Sequence, residues 1–349
     1  MGRPTVHDLA RHAKVSLATV DRVLNGRPGV REQTVERVKQ AIADLGYTRD
    51  VNAASLARKK PHRFVYLVPQ TETQFMDNLI AAIRDTASSN AVPGTKIEIV
   101  QAPMQMPQDV SAAIETLDAE AMDGLAIMAP ETPTVRDAVI KLRDRGVEVI
   151  PFISDLPGAN CGHFVGINNV AAGRTAAGLL GRFCCAASGR VAFIGGHSSA
   201  RDGIDRRFGF DQVMGDQFPH LNVLPTAEGR DQADRVEDIT ARILARRRDL
   251  RAIYLASAGT RGLYRALRSN QNQRPATRPM VIAHELTPIS RQALEEGFFD
   301  AVIAQDPGHI VRSTVRVLRA RLNGVPFTQA QERIRIEIYT RDNLPTQQT

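Results

Sequence analysis

The sequence has few cysteines and no long apolar run, and both shortages exclude classes of protein. Cys161, Cys184 and Cys185 are the three cysteines among 349 residues, and their number and spacing suit neither a disulfide framework nor a metal site. No run of about 18 apolar residues occurs, so we expect no membrane-spanning helix. The first residues, MGRPTVHDLA, lack the apolar stretch of a secretory signal. We therefore expect a cytoplasmic protein without a bound metal.

Motifs for catalysis and for nucleotide binding are also missing. The sequence has neither a phosphate-binding loop nor the glycine fingerprint of a dinucleotide fold, so we expect no cofactor. The segment GHSSA, residues 196–200, is similar to a nucleophile elbow, but Ala200 replaces its last glycine and no acid–base pair accompanies it. The segment HELTP begins like a zinc-binding motif, but Pro288 occupies the second histidine position. The sequence predicts that the chain is not an enzyme.

The positive charge is concentrated near the N-terminus. Residues 1–60 contain twelve lysines and arginines but six acidic residues, so they carry +6 of the net charge of +7. A solvated surface would spread such an excess along the chain, whereas a separate basic module is typical of a protein that binds a polyanion. With 43% apolar residues, a chain of this length can bury a large core and is expected to form two or three domains.

The basic segment divides into three short helices. Thr5 can cap the first helix, with Asp8 placed for a capping box. Ser16 can cap a second helix, LATVDRVLN, which Gly26 ends. A third helix covers residues 32–45 approximately, and Val35, Val38, Ile42 and Leu45 are predicted to form its buried side. The order of helix, tight turn, helix and supporting helix predicts a helix-turn-helix module.

The second helix exposes side chains that a core would not require. Val20, Val23 and Leu24 share its predicted buried side. The opposite side carries a mixed set, namely Leu17, Ala18, Asp21, Arg22 and Asn25. In a helix-turn-helix this face enters the major groove of DNA. The alternative is a small helical cap that binds nothing, and the segregated charge argues against it.

These residues also resemble a known family. The segments TVHDLARHAKVSLATVDRVLNG and VREQTVERVKQAIADLGY are similar to the DNA-binding headpiece of LacI-type bacterial transcription regulators. The resemblance implies that Leu17, Ala18 and Arg22 read bases, since arginine can donate to guanine and apolar side chains can contact thymine methyl groups. It implies that Ser16, Thr19 and Asn25 contact phosphates, which set the register on the duplex. The full set predicted to bind double-stranded operator DNA in this module is Thr5, Ser16, Leu17, Ala18, Thr19, Asp21, Arg22, Asn25 and Arg31.

Two of these residues depart from the family pattern. Asp21 stands where a serine is usual, and its carboxylate can accept from a cytosine amine or orient Arg22. Arg31 replaces the usual serine cap of the third helix, which exchanges a cap for a possible phosphate contact.

A second DNA-binding element is predicted in the segment RDVNAASLARKKPH, residues 49–62. Its centre is compatible with a helix but has almost no apolar side to bury, so alone it would be marginal, and a plain linker is one interpretation. The family resemblance implies instead a hinge helix that folds when two copies of the chain meet on an operator. Leu56 would then wedge between base steps in the minor groove, with Ala53 and Ala57 close to the groove. A homodimer on a pseudo-palindromic operator follows.

The remainder of the chain alternates short apolar runs with amphipathic stretches. The predicted strands are RFVYLV, IEIVQA, GLAIMA, VEVIPFI, HFVGI, RVAFIGG, AIYLA, MVIA and AVIA. Stretches such as TVRDAVIKLRDRG and VAAGRTAAGLLGRF between them predict helices. The fold class is therefore α/β, with an all-α helix-turn-helix headpiece followed by a doubly wound, mainly parallel domain.

Residues 62–343 resemble the effector domain of the same family, whose fold is that of periplasmic sugar-binding proteins. The similarity is clearest at VGINNVAAGRTAA, IDRRFGF and HELTP…DAVIAQDPGH. It implies two α/β lobes joined by three crossovers, with lobe 1 at about 62–167 and 306–334 and lobe 2 at about 168–304 and 335–343. Residues 1–48 would be the headpiece, 49–61 the hinge and 344–349 a tail without the apolar heptads of a tetramerising coiled coil.

The resemblance also implies a ligand site between the lobes for a sugar or a similar small metabolite. An aromatic ring would stack on the sugar, an arginine would donate, and carboxylates would accept from paired hydroxyls. The residues in these positions are Gln70, Thr73, Phe75, Asp155, Arg206, Ser257, Glu285 and Gln305. The site departs from common sugar binders, because Ala129 stands where an asparagine is usual and Asn168 where an aspartate is frequent. A sugar derivative is therefore an alternative ligand.

The sequence thus predicts a ligand-responsive, sequence-specific DNA-binding regulator, which we expect to act as a repressor. Two other classes remain as alternatives. A solute-binding protein would explain the large domain but not the basic headpiece. An enzyme with an attached DNA-binding module would need a catalytic group that the sequence does not supply.

Overall fold

The structure, a computed structural model, describes residues 4–24, 28–47, 61–89, 93–104, 106–185, 188–273 and 278–346. Three helices form from the N-terminal residues, and the remaining described residues form two mainly parallel β-sheets covered by helices. The α/β class is as predicted. A search of these ranges for a helix both long and apolar enough to span a membrane finds none.

The N-terminal module consists of α1 (Val6–His12), α2 (Leu17–Leu24) and α3 (Glu32–Leu45). Thr5 caps α1 in a complete capping box with Asp8. The backbone N–H of Thr19 donates to the hydroxyl of Ser16 at 3.2 Å, which caps the start of α2. Both predicted caps are therefore confirmed, whereas Gly26 lies outside the described residues.

A small core holds the three helices together, formed by Leu9, Ala13, Val20, Val38 and Ala41. The buried side predicted for α3 was partly wrong. Val38 is fully buried, but Ile42 and Leu45 only pack against the edge of the core, and Ala41 takes the central place. The helices before α3 are short, so they cover its middle and leave its ends near solvent.

The first sheet contains β1 (His62–Pro69), β2 (Thr95–Ala102), β3 (Gly124–Ile127) and β4 (Glu148–Pro151). Its strands are all parallel, in the order β2-β1-β3-β4. The connecting helices are α4 (Gln74–Ser88), α5 (Pro107–Glu115) and α6 (Pro133–Asp144). The run from Phe64 to Val68 is buried throughout, as expected for a strand of a parallel sheet that helices cover on both faces.

The second sheet has seven strands: β5 (Gly189–Gly195), β6 (Leu221–Val223), β7 (Ala227–Glu228), β8 (Leu250–Leu255), β9 (Met280–His284), β10 (Ala301–Ala304) and β11 (Glu337–Tyr339). They lie in the order β11-β10-β9-β8-β5-β6, with β7 also beside β5, and only the β10–β11 pair is antiparallel. The helices of this part are α7 (Asn169–Phe183), α8 (Arg201–Gln217), α9 (Ala233–Arg246), α10 (Thr260–Gln273), α11 (Pro288–Glu295), α12 (Pro307–Leu322) and α13 (Gln329–Glu332).

The chain passes between the two sheets three times. It leaves the first sheet after β4, and α12 returns from β10 to the first sheet, where the Tyr66 hydroxyl donates to the Val311 carbonyl at 3.1 Å. Residues 323–336 then lead back to β11 in the second sheet. Because the carboxyl ends of parallel strands meet at one edge of a sheet, this topology gathers the loops that follow the strands into a ligand-sized region.

One predicted strand is wrong. HFVGI, residues 163–167, makes a single bridge, between Val165 and Phe152, rather than a strand. The segment cannot continue along the sheet, because Asn168 caps α7 by accepting from the backbone N–H of Ala171 at 2.9 Å. An apolar run alone does not show that a helix begins directly after it.

Candidate functional sites

The first candidate site is the exposed face of α2. Leu17, Ala18, Asp21 and Arg22 are exposed, and 44% of the Leu17 surface is open to solvent. Val20, on the opposite side, is completely buried. The helix therefore presents its first residues and one arginine outward, as the sequence predicted.

Ser16 and Thr19, two of the residues predicted to contact phosphates, bond to each other at the start of this helix. The hydroxyls of Ser16 and Thr19 lie 2.9 Å apart, and Ser16 also caps the helix. Thr19 is half-buried and Ser16 is exposed. Their hydroxyl groups lie together at the positive end of the helix dipole, where a phosphate is favoured.

Thr5 and Arg31 are both exposed at helix starts. The hydroxyl of Thr5 donates to the Asp8 carboxylate at 2.7 Å, and these bonds from Thr5 lower the pKa of Asp8. Arg31 occupies the N-cap of α3 without a side-chain capping bond, so its guanidinium is not used as a cap. The predicted residues Asn25, Ala53, Leu56 and Ala57 lie outside the described residues.

The second candidate site is a cavity of about 320 Å³. Three predicted ligand residues line it together: Phe75 from the start of α4, Glu285 from the end of β9, and Gln305 from the end of β10. The cavity is also lined by seven residues that were not predicted to bind a ligand: Asn78, Leu286, Ala304, Asp306, Pro307, Glu337 and Tyr339. Two aromatic rings and several acceptor groups thus surround one space.

Glu285 and Gln305 form the polar centre of this cavity. The Gln305 side-chain N–H donates to the Glu285 carboxylate at 2.9 Å. Burial raises the pKa of Glu285 to about 7, although the positive charge of Arg206 opposes the shift. Gln305 is 4% exposed, and its side-chain oxygen accepts no hydrogen bond from the part of the chain that the structure describes. An acceptor buried without a donor is costly, so this oxygen suits a ligand hydroxyl or amine.

Arg206 is buried beside this centre and is held by the protein. It is 4% exposed, its Nε donates to the Asn169 side chain at 2.9 Å, and a terminal nitrogen donates to the Ala256 carbonyl at 2.8 Å. Asp202 lies 3.6 Å from that terminal nitrogen. These contacts fix the plane of the guanidinium, which prepares it for directed hydrogen bonds.

Like Arg206, the other four predicted ligand residues are not among the residues that line the cavity. Thr73 caps α4 through the backbone N–H of Met76, and the Ser257 hydroxyl donates to the Ala258 carbonyl. The Asp155 carboxylate accepts from the backbone N–H of Leu156 at 2.7 Å, and burial raises its pKa. Gln70 is exposed after β1. They lie in the loops after β1, β4 and β8, where local backbone bonds occupy three of their side chains.

Sequence reasoning missed three residues of this region. Asn169 holds Arg206, yet the resemblance drew attention to its neighbour Asn168, which is a helix cap. Glu337 and Tyr339 reach the cavity from β11, and the tyrosine hydroxyl donates to that carboxylate at 2.6 Å, which raises the pKa of Tyr339 to about 12. Nothing in the local pattern signalled this contact, because it depends on the third crossover.

Two parts of the chain match the models of known protein families. Residues 64–326 match the family model described as "Periplasmic binding protein domain". The chain belongs to this family. Residues 5–50 match the model of "Bacterial regulatory proteins, lacI family", so the N-terminal module is a LacI-family domain. Both resemblances predicted from the sequence are confirmed.

Curated relatives match over about a quarter to a third of the chain. The chain is 41% identical over 85 residues to the ribose operon repressor of Halalkalibacterium halodurans, covering 24% of this chain and 26% of that protein. It is 34% identical over 125 residues to catabolite control protein A of Streptococcus mutans, covering 36% of each chain. The matches therefore span between a quarter and about a third of these relatives.

Solved structures match over most of the chain. A solute-binding protein from Burkholderia graminis, in complex with D-arabinose, has a TM-score of 0.73 at 23% identity, covering 82% of this chain and 98% of that one. The glucose-galactose binding protein GanP of Geobacillus stearothermophilus has a TM-score of 0.72 at 17% identity, covering 82% and 100%. At these identities the likeness shows the fold alone.

Proposed function

We propose that the chain is a transcriptional regulator that binds a specific operator as a homodimer and responds to a small sugar or sugar derivative. The exposed face of α2 on a LacI-family domain is the observation that carries this proposal. We further propose that it acts in the cytoplasm, as a repressor and without enzymatic activity. The curated relatives that the chain matches include a ribose operon repressor, which supports this direction of regulation.

For DNA reading, we propose that α2 enters the major groove with its N-terminal turn first. Leu17 and Ala18 would contact thymine methyl groups, and Arg22 would donate to a guanine edge. Ser16, Thr19, Asn25, Thr5 and Arg31 would contact the backbone, and Asp21 would orient Arg22 or accept from a cytosine amine. The exposure of the first two residues supports the geometry, because an apolar pair gains little from facing water.

We propose that the headpiece comprises residues 1–48, the hinge 49–61 and the two-lobed domain 62–343. Leu56, with Ala53 and Ala57, would act in the minor groove once two hinges meet. The requirement for a dimer follows from half-site spacing, since two headpieces must lie at a fixed separation.

For ligand sensing, we propose that the cavity around Glu285 and Gln305 takes the ligand. Its volume suits a monosaccharide-sized molecule, and its aromatic rings, Phe75 and Tyr339, can cover an apolar sugar face. Gln305 and Glu285 would accept from hydroxyls, and Arg206 would donate. Gln70, Thr73, Asp155 and Ser257 would approach the ligand from the surrounding loops as the lobes close over it.

The test is selection of bound sequences from a random duplex library at a stated salt concentration. The proposal predicts a two-fold symmetric consensus for the full chain. Arg22→Ala should lose preference at one symmetric pair of positions and weaken binding by about 1–3 kcal/mol per half-site. Lys39→Ala is the matched control, because Lys39 pairs with Glu36 on α3, away from the reading face, at 2.7 Å. Binding without a consensus, or equal effects of both variants, would contradict the proposal.

A further inference from the structure

Ile153 lies where the chain leaves the first sheet, and its backbone is strained. It lies two residues after the end of β4 and has a φ of 65°. A β-branched residue is a clear outlier there, because its side chain crowds the backbone. The N–H of Ser154 donates to the Phe152 carbonyl at 2.7 Å, which closes a γ-turn of positive φ about Ile153. Such strain persists only where the surroundings hold it.

Three contacts hold this turn in place. The N–H of Ile153 donates to the Val165 carbonyl at 2.9 Å, and its side chain is 2% exposed within the main core. Its carbonyl accepts from the side-chain amide of Asn169 at 3.4 Å. That last bond is long and is made by a side chain rather than by the backbone. It is therefore the contact that another group can most easily change.

The other end of the same amide holds Arg206, whose positive charge acts on Glu285 in the cavity. The Asn169 side-chain oxygen accepts from Arg206 Nε at 2.9 Å, and Asn169 is 6% exposed. A planar amide thus bridges Arg206 in α8 and Ile153 in the first crossover. Because the amide is rigid, any movement of the guanidinium turns its donor end relative to the Ile153 carbonyl. Without that bond, the Val165 bond and the packing of the side chain are the two of these three contacts that still hold the strained φ of Ile153.

We propose that Asn169 is a positioning residue that couples Arg206 to the strained turn at Ile153. Ligand contact with Arg206 shifts the amide, and the first crossover then changes between two backbone states. The relevance to a ligand rests on the proposed function, but the coupling itself is a property of the chain. A two-state element biased from the ligand site supplies the physical basis for a response to the ligand.

Amide hydrogen exchange of the full chain, measured by NMR without any ligand, tests this coupling. Arg206→Ala should speed the exchange of the Ile153 and Ser154 amides by about tenfold. Arg207→Ala is the matched control, because this neighbour bonds to Asp211 and not to Asn169, and it should leave these amides within about twofold of the wild type. The Tyr254 amide in the second sheet reports global stability and should not change.

The decisive comparison repeats the arginine change in the background of Asn169→Asp. Aspartate keeps an acceptor for Arg206 but cannot donate to Ile153, so Arg206→Ala should then have no further effect on the two amides. Asn168→Asp is the control background, since aspartate caps a helix as well as asparagine, and the full effect should persist. If Arg206→Ala also speeds the exchange of the Tyr254 amide, Arg206→Lys is used in place of Arg206→Ala. Lysine keeps the positive charge and lacks the Nε–H that bonds to Asn169.

Two results would overturn the proposal. One is unchanged exchange at Ile153 and Ser154 in the arginine variant, and the other is an equal effect in the Asn169→Asp and Asn168→Asp backgrounds. Neither result bears on operator selection, and a failed selection leaves this exchange experiment intact. The two proposals therefore fail separately.

Discussion

Replacing Glu285 by glutamine should stabilise the protein, and the gain should appear only as the pH rises. Burial raises the pKa of Glu285 to about 7 from the ordinary 4.5, with Arg206 and Gln305 opposing the shift and Asp202 adding to it. The difference corresponds to about 3 kcal/mol of unfavourable free energy for the ionised form. Glutamine keeps the size and an acceptor for Gln305 but carries no charge.

The direction follows from proton binding. Between pH 4.5 and 7 the folded protein holds the Glu285 proton, whereas the unfolded chain has lost it. The stability of the wild type therefore falls as the pH rises through this range. Glu285→Gln lacks this loss, so the two proteins should be similar near pH 4.5. The variant should be more stable by up to about 3 kcal/mol at pH 8.

Thermal melting between pH 5 and 8 is the assay. The melting temperature of Glu285→Gln should exceed that of the wild type by roughly 6 °C at pH 8 and by much less at pH 5. Glu296→Gln is the control. The Tyr264 hydroxyl lowers the pKa of Glu296, so this exposed carboxylate stays ionised over the whole range and its removal should give a constant difference. A constant difference for Glu285→Gln, or a gain at low pH, would refute the reasoning.

Three further predictions concern the helix cap, the ligand response and the hinge. Thr73→Ala should cost about 1 kcal/mol of stability through the lost cap of α4, measured by denaturation, whereas Thr73→Ser should restore it. Arg206→Ala should abolish the effect of sugars on operator binding while operator affinity without sugar persists in a gel-shift titration, and loss of operator affinity itself would contradict this. Leu56→Ala should reduce operator bending in a circular-permutation gel assay, and an unchanged bend angle would refute the wedge.

The local part of the fold could be predicted from the sequence because short-range chemistry determines it. Thr5 and Ser16 mark helix starts through hydrogen bonds to residues three positions away. Val20 in α2 and Val38 in α3 are buried because helical periodicity places each of them on the apolar side of its own helix. The burial of Ala41 was not predicted, and the segment HFVGI was wrongly predicted to be a strand. Both depend on where neighbouring helices and strands begin and end, which local periodicity does not show.

Some residues of the candidate ligand site could be predicted from the sequence, but the contacts that their side chains make could not. Phe75 follows β1 of the first sheet, whereas Glu285 and Gln305 follow the neighbouring strands β9 and β10 of the second sheet, and all three line one cavity. Thr73 has the same polar chemistry as a ligand contact but caps a helix, and a sequence does not distinguish the two uses. Tyr339 enters through a crossover of distant residues, which no local pattern encodes.

The most direct test of the account is operator affinity measured with and without sugars. The full chain would be titrated onto its selected operator duplex at fixed salt, with D-ribose, D-arabinose, D-glucose, D-galactose or D-glucosamine at saturating concentration. The account predicts that at least one sugar changes operator affinity by about tenfold, within the range of allosteric coupling, and that Arg206→Ala removes the change. A sugar that binds the protein, shown by calorimetry, yet leaves operator affinity unchanged would contradict the central claim.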